Sequence, residues 1–142
     1  MRNGHVLVVE DDDTIRRLLI EYLKSHDLVD VDGARDGVEA LHLIVTNRYA
    51  VVVLDVMMPK MSGVDVLDSL EALTSDPSVQ TLDNPPAVLV ITAAERSVLP
   101  DAAIIQRCPH MVHRVFRKPL DVAELAASVE KYLRITSSPS TR

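Results

Sequence analysis

The sequence predicts an α/β domain: a single doubly wound, five-stranded parallel sheet with helices on both faces. Three observations carry this expectation. Apolar β-forming runs and helix-periodic runs alternate five times along the chain, the pattern of repeated strand–helix units. The third and fourth apolar runs, YAVVVLD and AVLVIT, do not alternate apolar with polar residues, as expected of strands covered on both faces. The length, 142 residues, suits one ordinary domain. Right-handed crossovers then leave only a few doubly wound strand orders.

The elements follow in order. HVLVV (His5–Val9) is a short apolar run rich in β-branched residues, the first strand. TIRRLLIEYLKSH gives the first helix. Ile15, Leu18, Leu19 and Tyr22 are spaced for its apolar face, with Arg16, Arg17, Glu21 and Lys24 opposite. Asp13 is placed to cap it. LVDVDGA (Leu28–Ala34) is a weaker second strand, expected near an edge because acids interrupt it. DGVEALHLIVTN puts Val38, Leu41 and Val45 on one helical face, and GVDVLDSLEALTS does the same with Val64, Leu67 and Leu70. Residues 74–86, polar and containing Pro77, Pro85 and Pro86, are expected to form an extended surface loop. AERSVLPDAAIIQRC is helical in part, with Pro100 starting, kinking or breaking it. VHRVF is the fifth strand. DVAELAASVEKYL is the fifth helix, with Val122, Leu125, Val129 and Tyr132 aligned. Residues 1–134 are expected to form the domain and 135–142 a disordered tail.

Composition narrows the function. Net charge is −6 and Trp is absent, so neither a basic surface nor a base-stacking stripe suggests nucleic acid. The single cysteine, Cys108, cannot form an internal disulfide, which points to a reducing compartment. No apolar run approaches the roughly 18 residues of a membrane span. The acidic cluster begins by Glu10, too early for an ordinary signal peptide. The expectation is a cytoplasmic domain with no membrane contact and no direct binding of nucleic acid. No effector region is visible in the sequence, so it acts alone through protein contacts or belongs to a longer protein.

In such sheets ligands bind beyond the carboxyl ends of the strands. The first strand ends in Glu10-Asp11-Asp12-Asp13, the third in Asp55, the fourth in Thr92 and the fifth in Arg117-Lys118-Pro119. Asp55 alone reads as a turn residue, Lys118 as a solvated lysine and Thr92 as a helix cap. Together they form a constellation. Glu10, Asp11 and Asp55 crowd carboxylates into one space, and two such charges at about 5 Å repel by roughly 3 kcal/mol at an effective dielectric near 20. A hard divalent cation offsets that, and Mg²⁺ takes one or two carboxylates plus waters and a phosphoryl group. A carboxylate beside it can attack phosphorus, with Lys118 and the Thr92 hydroxyl around the equatorial oxygens.

VLVVEDD…R, VVVLDVMMPKMSG, VITA and FRKP, in that order, resemble the bacterial two-component response-regulator receiver domain of the chemotaxis-regulator kind. The resemblance covers roughly residues 4–134. It implies a flavodoxin-like sheet of order 2-1-3-4-5, with Asp55 as phosphoacceptor and Glu10 and Asp11 as the acidic pair that binds Mg²⁺. Met57 would lend a backbone carbonyl to the metal, and Thr92 and Lys118 would sense the phosphoryl group. It implies a histidine kinase or phosphotransfer protein as donor, an output domain or target protein as receiver of the signal, and a homodimer face from the fourth helix to the fifth. The chemistry would be limited to self-phosphorylation and slow self-dephosphorylation. The Lys118–Pro119 bond is expected to be cis, as it is in most proteins of this kind.

Three departures bear on output. Leu73–Pro86 and the segment between Thr92 and Lys118 are long, with RCPHMVH before the fifth strand. Val115 stands three before the lysine, where the family often has Tyr or Phe, and Phe116 should face the other side of the sheet. The remaining candidates have plain readings. Asp12 and Asp13 are solvent-facing or capping, and Met57 and Met58 fill the core. Cys108, His110 and His113 are loop residues without a zinc spacing. Arg114 and Arg117 in the fifth strand read as a binding surface or, more plainly, as a solvated face. Competing functions are a haloacid-dehalogenase-type phosphatase, which needs an acid where Met57 stands, a flavin or nucleotide binder, which EDDD would repel without metal, and an unphosphorylated interaction domain.

Overall fold

The computed structural model describes residues 5–26 and 30–137. Five parallel strands alternate with helices: β1 His5–Val9, α1 Asp13–Ser25, β2 Asp30–Ala34, α2 Gly37–Thr46, β3 Val51–Asp55, α3 Gly63–Leu73, β4 Ala87–Thr92, α4 Asp101–Ile105, β5 Val112–Arg117 and α5 Val122–Ser137. The sheet order is β2-β1-β3-β4-β5, as the resemblance implied. β2 is an edge, and Leu28 and Val29 of the expected second strand lie outside the described residues.

Side chains alternate across the strands, so the sheet has two cores. Leu7, Val9, Val52, Leu54, Val88, Val90 and Val115 face α2, α3 and α4. Val6, Val8, Val51, Val53, Leu89, Ile91 and Phe116 face α1 and α5. Val115 and Phe116 therefore lie on opposite faces, as expected. A register shift between Val88 and Leu89 displaces β5 by one residue against β4. This is why Val112 and Val115, three apart, share one core.

Several local expectations are corrected. Asp12, not Asp13, caps α1, accepting from the Ile15 N–H at 2.9 Å. The buried residues of α1 are Leu19 and Leu23, while Ile15 and Leu18 are 39% and 60% exposed. The later turns of the helix cover the sheet and its first turns stand by the strand ends. In α2 the buried line is Gly37, Ala40 and Ile44, and Val38 is exposed. Residues 74–86 are not simply an extended loop. They contain a 3-10 turn, Gln80–Asp83, whose Leu82 is buried in the α2–α4 core. Arg48 Nη2 donates to the Gln80 carbonyl at 3.1 Å and helps hold it. Cys108 is fully buried rather than a loop residue, and burial, with Glu71 adding, pushes its thiol up to about 12. Met57 is 62% exposed and not core, whereas Met58 packs against the core. Pro100 immediately precedes the short α4. α5 continues to Ser137, into the stretch expected as tail; residues 138–142 lie outside the described residues.

Candidate functional site

The carboxyl ends of β1, β3, β4 and β5 bring the candidate residues to one rim. The backbone fixes each of them. Glu10 N–H donates to the Ala34 carbonyl at 3.0 Å, and Val56 N–H to the Ile91 carbonyl at 2.9 Å. The Lys118 N–H donates to the Thr92 carbonyl at 2.9 Å, and the Lys118–Pro119 bond is cis. Gly63 opens α3 directly against Asp55. A Cβ there would sit 2.4 Å from the Asp55 carbonyl oxygen, so only glycine allows this approach.

Glu10 and Asp55 are buried at 2% and 1% exposure, and Thr92 is fully buried. Lys118 Nζ lies 3.4 Å from Glu10 Oε1 and 3.6 Å from Asp55 Oδ2. Asp55 Oδ1 accepts from the Met57 N–H at 3.3 Å, and Glu10 Oε2 from the Asp12 N–H at 3.2 Å. Asp11 is exposed. Oxygens of Glu10, Asp11 and Asp55 lie within 4.8 Å of one another. Asp11 and Met57 also line one shallow depression with Val56, Met58, Pro59 and Ser62. Thr92 Oγ1 accepts from the Ala94 N–H at 3.0 Å.

The electrostatics follow from burial and like charge. Burial pushes the Glu10 carboxyl up to about 7, with the Asp55 charge adding to it and the Asp12 N–H and Lys118 opposing. Burial also raises Asp55, and Lys118 is the chief opposing influence. Partial burial works against charging Lys118, but Asp55 and Glu10 outweigh it and hold the ammonium above its ordinary value. One ammonium thus faces two buried carboxylates, with the exposed Asp11 carboxylate beside them. An all-oxygen cluster short of positive charge fits a hard divalent cation, and a buried carboxylate beside a lysine can serve as a nucleophile.

Sequence reasoning missed the engagement of three arginines. Arg16 Nη1 donates to the Glu10 carbonyl at 2.8 Å and its Nη2 pairs with Asp13, clamping the acidic turn from α1. Arg117, expected in solvent, has a side chain only 14% exposed. It donates to the Ala94 carbonyl at 2.9 Å and pairs with Asp101. Arg114 is likewise engaged, with the Ser128 hydroxyl at 2.8 Å, Glu124 at 3.2 Å and the Phe116 ring. The available signal for Arg117 was its place beside Thr92 at the end of the neighbouring strand.

Comparison with known proteins identifies the family. The family model described as the response regulator receiver domain matches residues 6–130. The chain is 39% identical over 136 residues to the "Response regulator MprA" of Mycobacterium sp. (strain KMS), covering 93% of this chain and 51% of that protein. It is 36% identical over 77 residues to the "Transcriptional regulatory protein SrrA" of Staphylococcus aureus (strain NCTC 8325 / PS 47), covering 54% and 32%. The chain thus spans about half the length of the first of these relatives. Among solved structures it is similar to the Francisella response regulator 1452 receiver domain (TM-score 0.78, 27% identity, 94% of this chain and 98% of that one). It is also similar to the signal receiver domain of a putative Luxo repressor protein from Vibrio parahaemolyticus (TM-score 0.75, 28% identity, 96% and 93%). The chain belongs to the response regulator receiver domain family of two-component signalling.

Proposed function

We propose that Asp55 accepts a phosphoryl group from a histidine kinase or phosphotransfer protein, with Mg²⁺ as cofactor. The product then changes the domain's contacts with an output domain or target protein. The observation that carries this reading is the buried Asp55 carboxylate with Lys118 Nζ at 3.6 Å, inside a three-carboxylate cluster. One oxygen of Asp55 forms the new bond to phosphorus, and the bond from phosphorus to the donor breaks, its electron pair leaving with the donor. Glu10, Asp11, Asp55 and the Met57 backbone carbonyl would hold Mg²⁺, which when bound offsets the negative charge an incoming phosphoryl group meets. Lys118 faces both buried carboxylates and pairs with the phosphoryl oxygens as they arrive. The Thr92 oxygen already accepts from Ala94, so its own hydrogen is left to donate to the phosphoryl group.

The domain is in this reading a stoichiometric acceptor with slow self-dephosphorylation, not a phosphatase acting on free esters. Met57, exposed and without a proton to give, stands where a phosphatase of the haloacid-dehalogenase type needs its acid. Among the described residues no helix is long and apolar enough to cross a membrane, which supports a cytoplasmic setting. The net charge of −6 supports leaving any contact with nucleic acid to another domain. The test is intact-mass measurement after acetyl phosphate treatment, with Mg²⁺ and with EDTA. One phosphoryl group should be gained with Mg²⁺ only, and lost in base. Sustained hydrolysis of a phosphate ester, or a gain equal in EDTA, overturns the reading.

A further inference from the structure

Arg117 connects the candidate site to α4 through a short chain of contacts. Thr92 and Arg117 are register partners at the ends of β4 and β5. The two peptide groups that flank the Ala94 Cα are each held: the Ala94 N–H donates to Thr92 Oγ1 at 3.0 Å, and the Ala94 carbonyl accepts from Arg117 Nη1 at 2.9 Å. The other arm of the guanidinium, Nη2, pairs with Asp101, the first residue of α4. The guanidinium is a planar, rigid fork, so its two arms move together. Its Nε is shielded and has no partner among the described residues, which leaves a donor in reserve if the loop shifts. No other β5 side chain is placed to do this. Val115 is stiff at χ1 and sits in the α2–α4 core, and Phe116 lies in the opposite core.

We propose that Arg117 is a positioning residue: it sets the Thr92 hydroxyl through Ala94 and passes any change there to the head of α4 through Asp101. This rests on the reading of Thr92 as a phosphoryl contact. A Thr92 hydroxyl drawn toward a phosphoryl group, donating its own hydrogen, carries with it the Ala94 N–H from which it accepts. Ala94 then shifts against its second anchor, the Arg117 fork that ties the Ala94 carbonyl to Asp101. The two states differ in these contacts, as any ligand-driven shift requires.

The experiment records backbone amide NMR spectra of the full chain with and without Mg²⁺ and beryllofluoride, alongside intact mass after acetyl phosphate. The parent should take one phosphoryl group and shift the amides of Ala94 and of Ala102, Ala103 and Ile104. Arg117→Met, which keeps the apolar stem, should leave the three α4 amides unshifted. Asp101→Ala, which removes the acceptor of Arg117 Nη2, should still take the phosphoryl group and still shift Ala94, with α4 silent. An α4 response in either variant equal to that of the parent overturns the coupling while the site reading stands. So does a parent in which Ala94 responds and α4 does not. A parent that gains no phosphoryl group brings down both. Should Arg117→Met fail to fold, Asp101→Ala decides alone.

Discussion

Gly63 shows how closely the site depends on single atoms. The missing Cβ would lie 2.4 Å from the Asp55 carbonyl oxygen and 2.8 Å from Val56 Cα. Both are backbone atoms, so neither can swing aside. Gly63→Ala should therefore destabilise the chain by about 1–3 kcal/mol, the usual cost of overpacking, measured as a lower urea midpoint at unchanged slope. A midpoint equal to the parent's would mean that α3 starts elsewhere. Single residues also mark where sequence reading succeeds and fails. Glu10, Asp55 and Lys118 were legible because a parallel sheet must bring its strand ends to one rim, and the structure places them in contact. Arg117 was not, because a strand-end arginine can turn to water or to a neighbouring loop, and only the path of residues 93–101 decides. Cys108 sits in a stretch with Pro109 and His110 that looks like loop. Its burial depends on how Met111 and Val112 turn back over it.

At the scale of elements, caps and anchors decide more than helical periodicity does. Asp36 caps α2, accepting from the Glu39 N–H at 2.8 Å, and Lys60 Nζ lies 3.4 Å from its other oxygen. That N–H, with Lys60 assisting, holds its carboxyl below the ordinary carboxylate value despite burial. The depressed value fixes the sign. The cap's contribution is full above the unfolded value of about 3.9 and is lost as pH falls through the folded one. Asp36→Ala should cost about 1 kcal/mol near neutrality. The gap from the parent should narrow in urea titrations below about pH 4, and a gap that widens there would contradict this account. Leu82 makes the second case, 6% exposed within a 3-10 turn that composition marked as loop. Leu82→Ala should cost about 2–5 kcal/mol if it anchors the core, read from the same urea curves; a loss well under 1 kcal/mol would return the segment to surface loop. The face of α2 was misread for a related reason. Hydropathy ranks Val38 above Gly37 and Ala40, but the helix approaches so closely that a Cβ on Gly37 would meet the Met61 carbonyl at 2.1 Å. Small residues, not large apolar ones, make that contact.

Over the whole molecule, the alternation of strand and helix was enough to give the sheet, because two-sided burial leaves few other ways to cover β3 and β4. The strand order came from the resemblance and is observed. What a sequence does not carry is how strand ends are charged once folded, and here two buried carboxylates face one lysine with a third, exposed carboxylate close by. That imbalance predicts a response to metal. A ligand bound only by the folded state stabilises it by about 1.4 kcal/mol at ten times its dissociation constant, or roughly 3–5 °C in Tm for a chain of this size. Mg²⁺ should raise Tm by this order, and Asp11→Ala should lose most of the rise. An Asp11→Ala chain that responds like the parent would place the metal elsewhere. The claim at the centre of the account is that Asp55 itself carries the phosphoryl group, and borohydride tests it directly. An acyl phosphate on aspartate is reduced to homoserine, which peptide mass mapping locates to a single residue. After acetyl phosphate and Mg²⁺, the account predicts homoserine at position 55 and nowhere else. Homoserine at position 11, or a phosphoryl group mapped to His110 or His113, would contradict it.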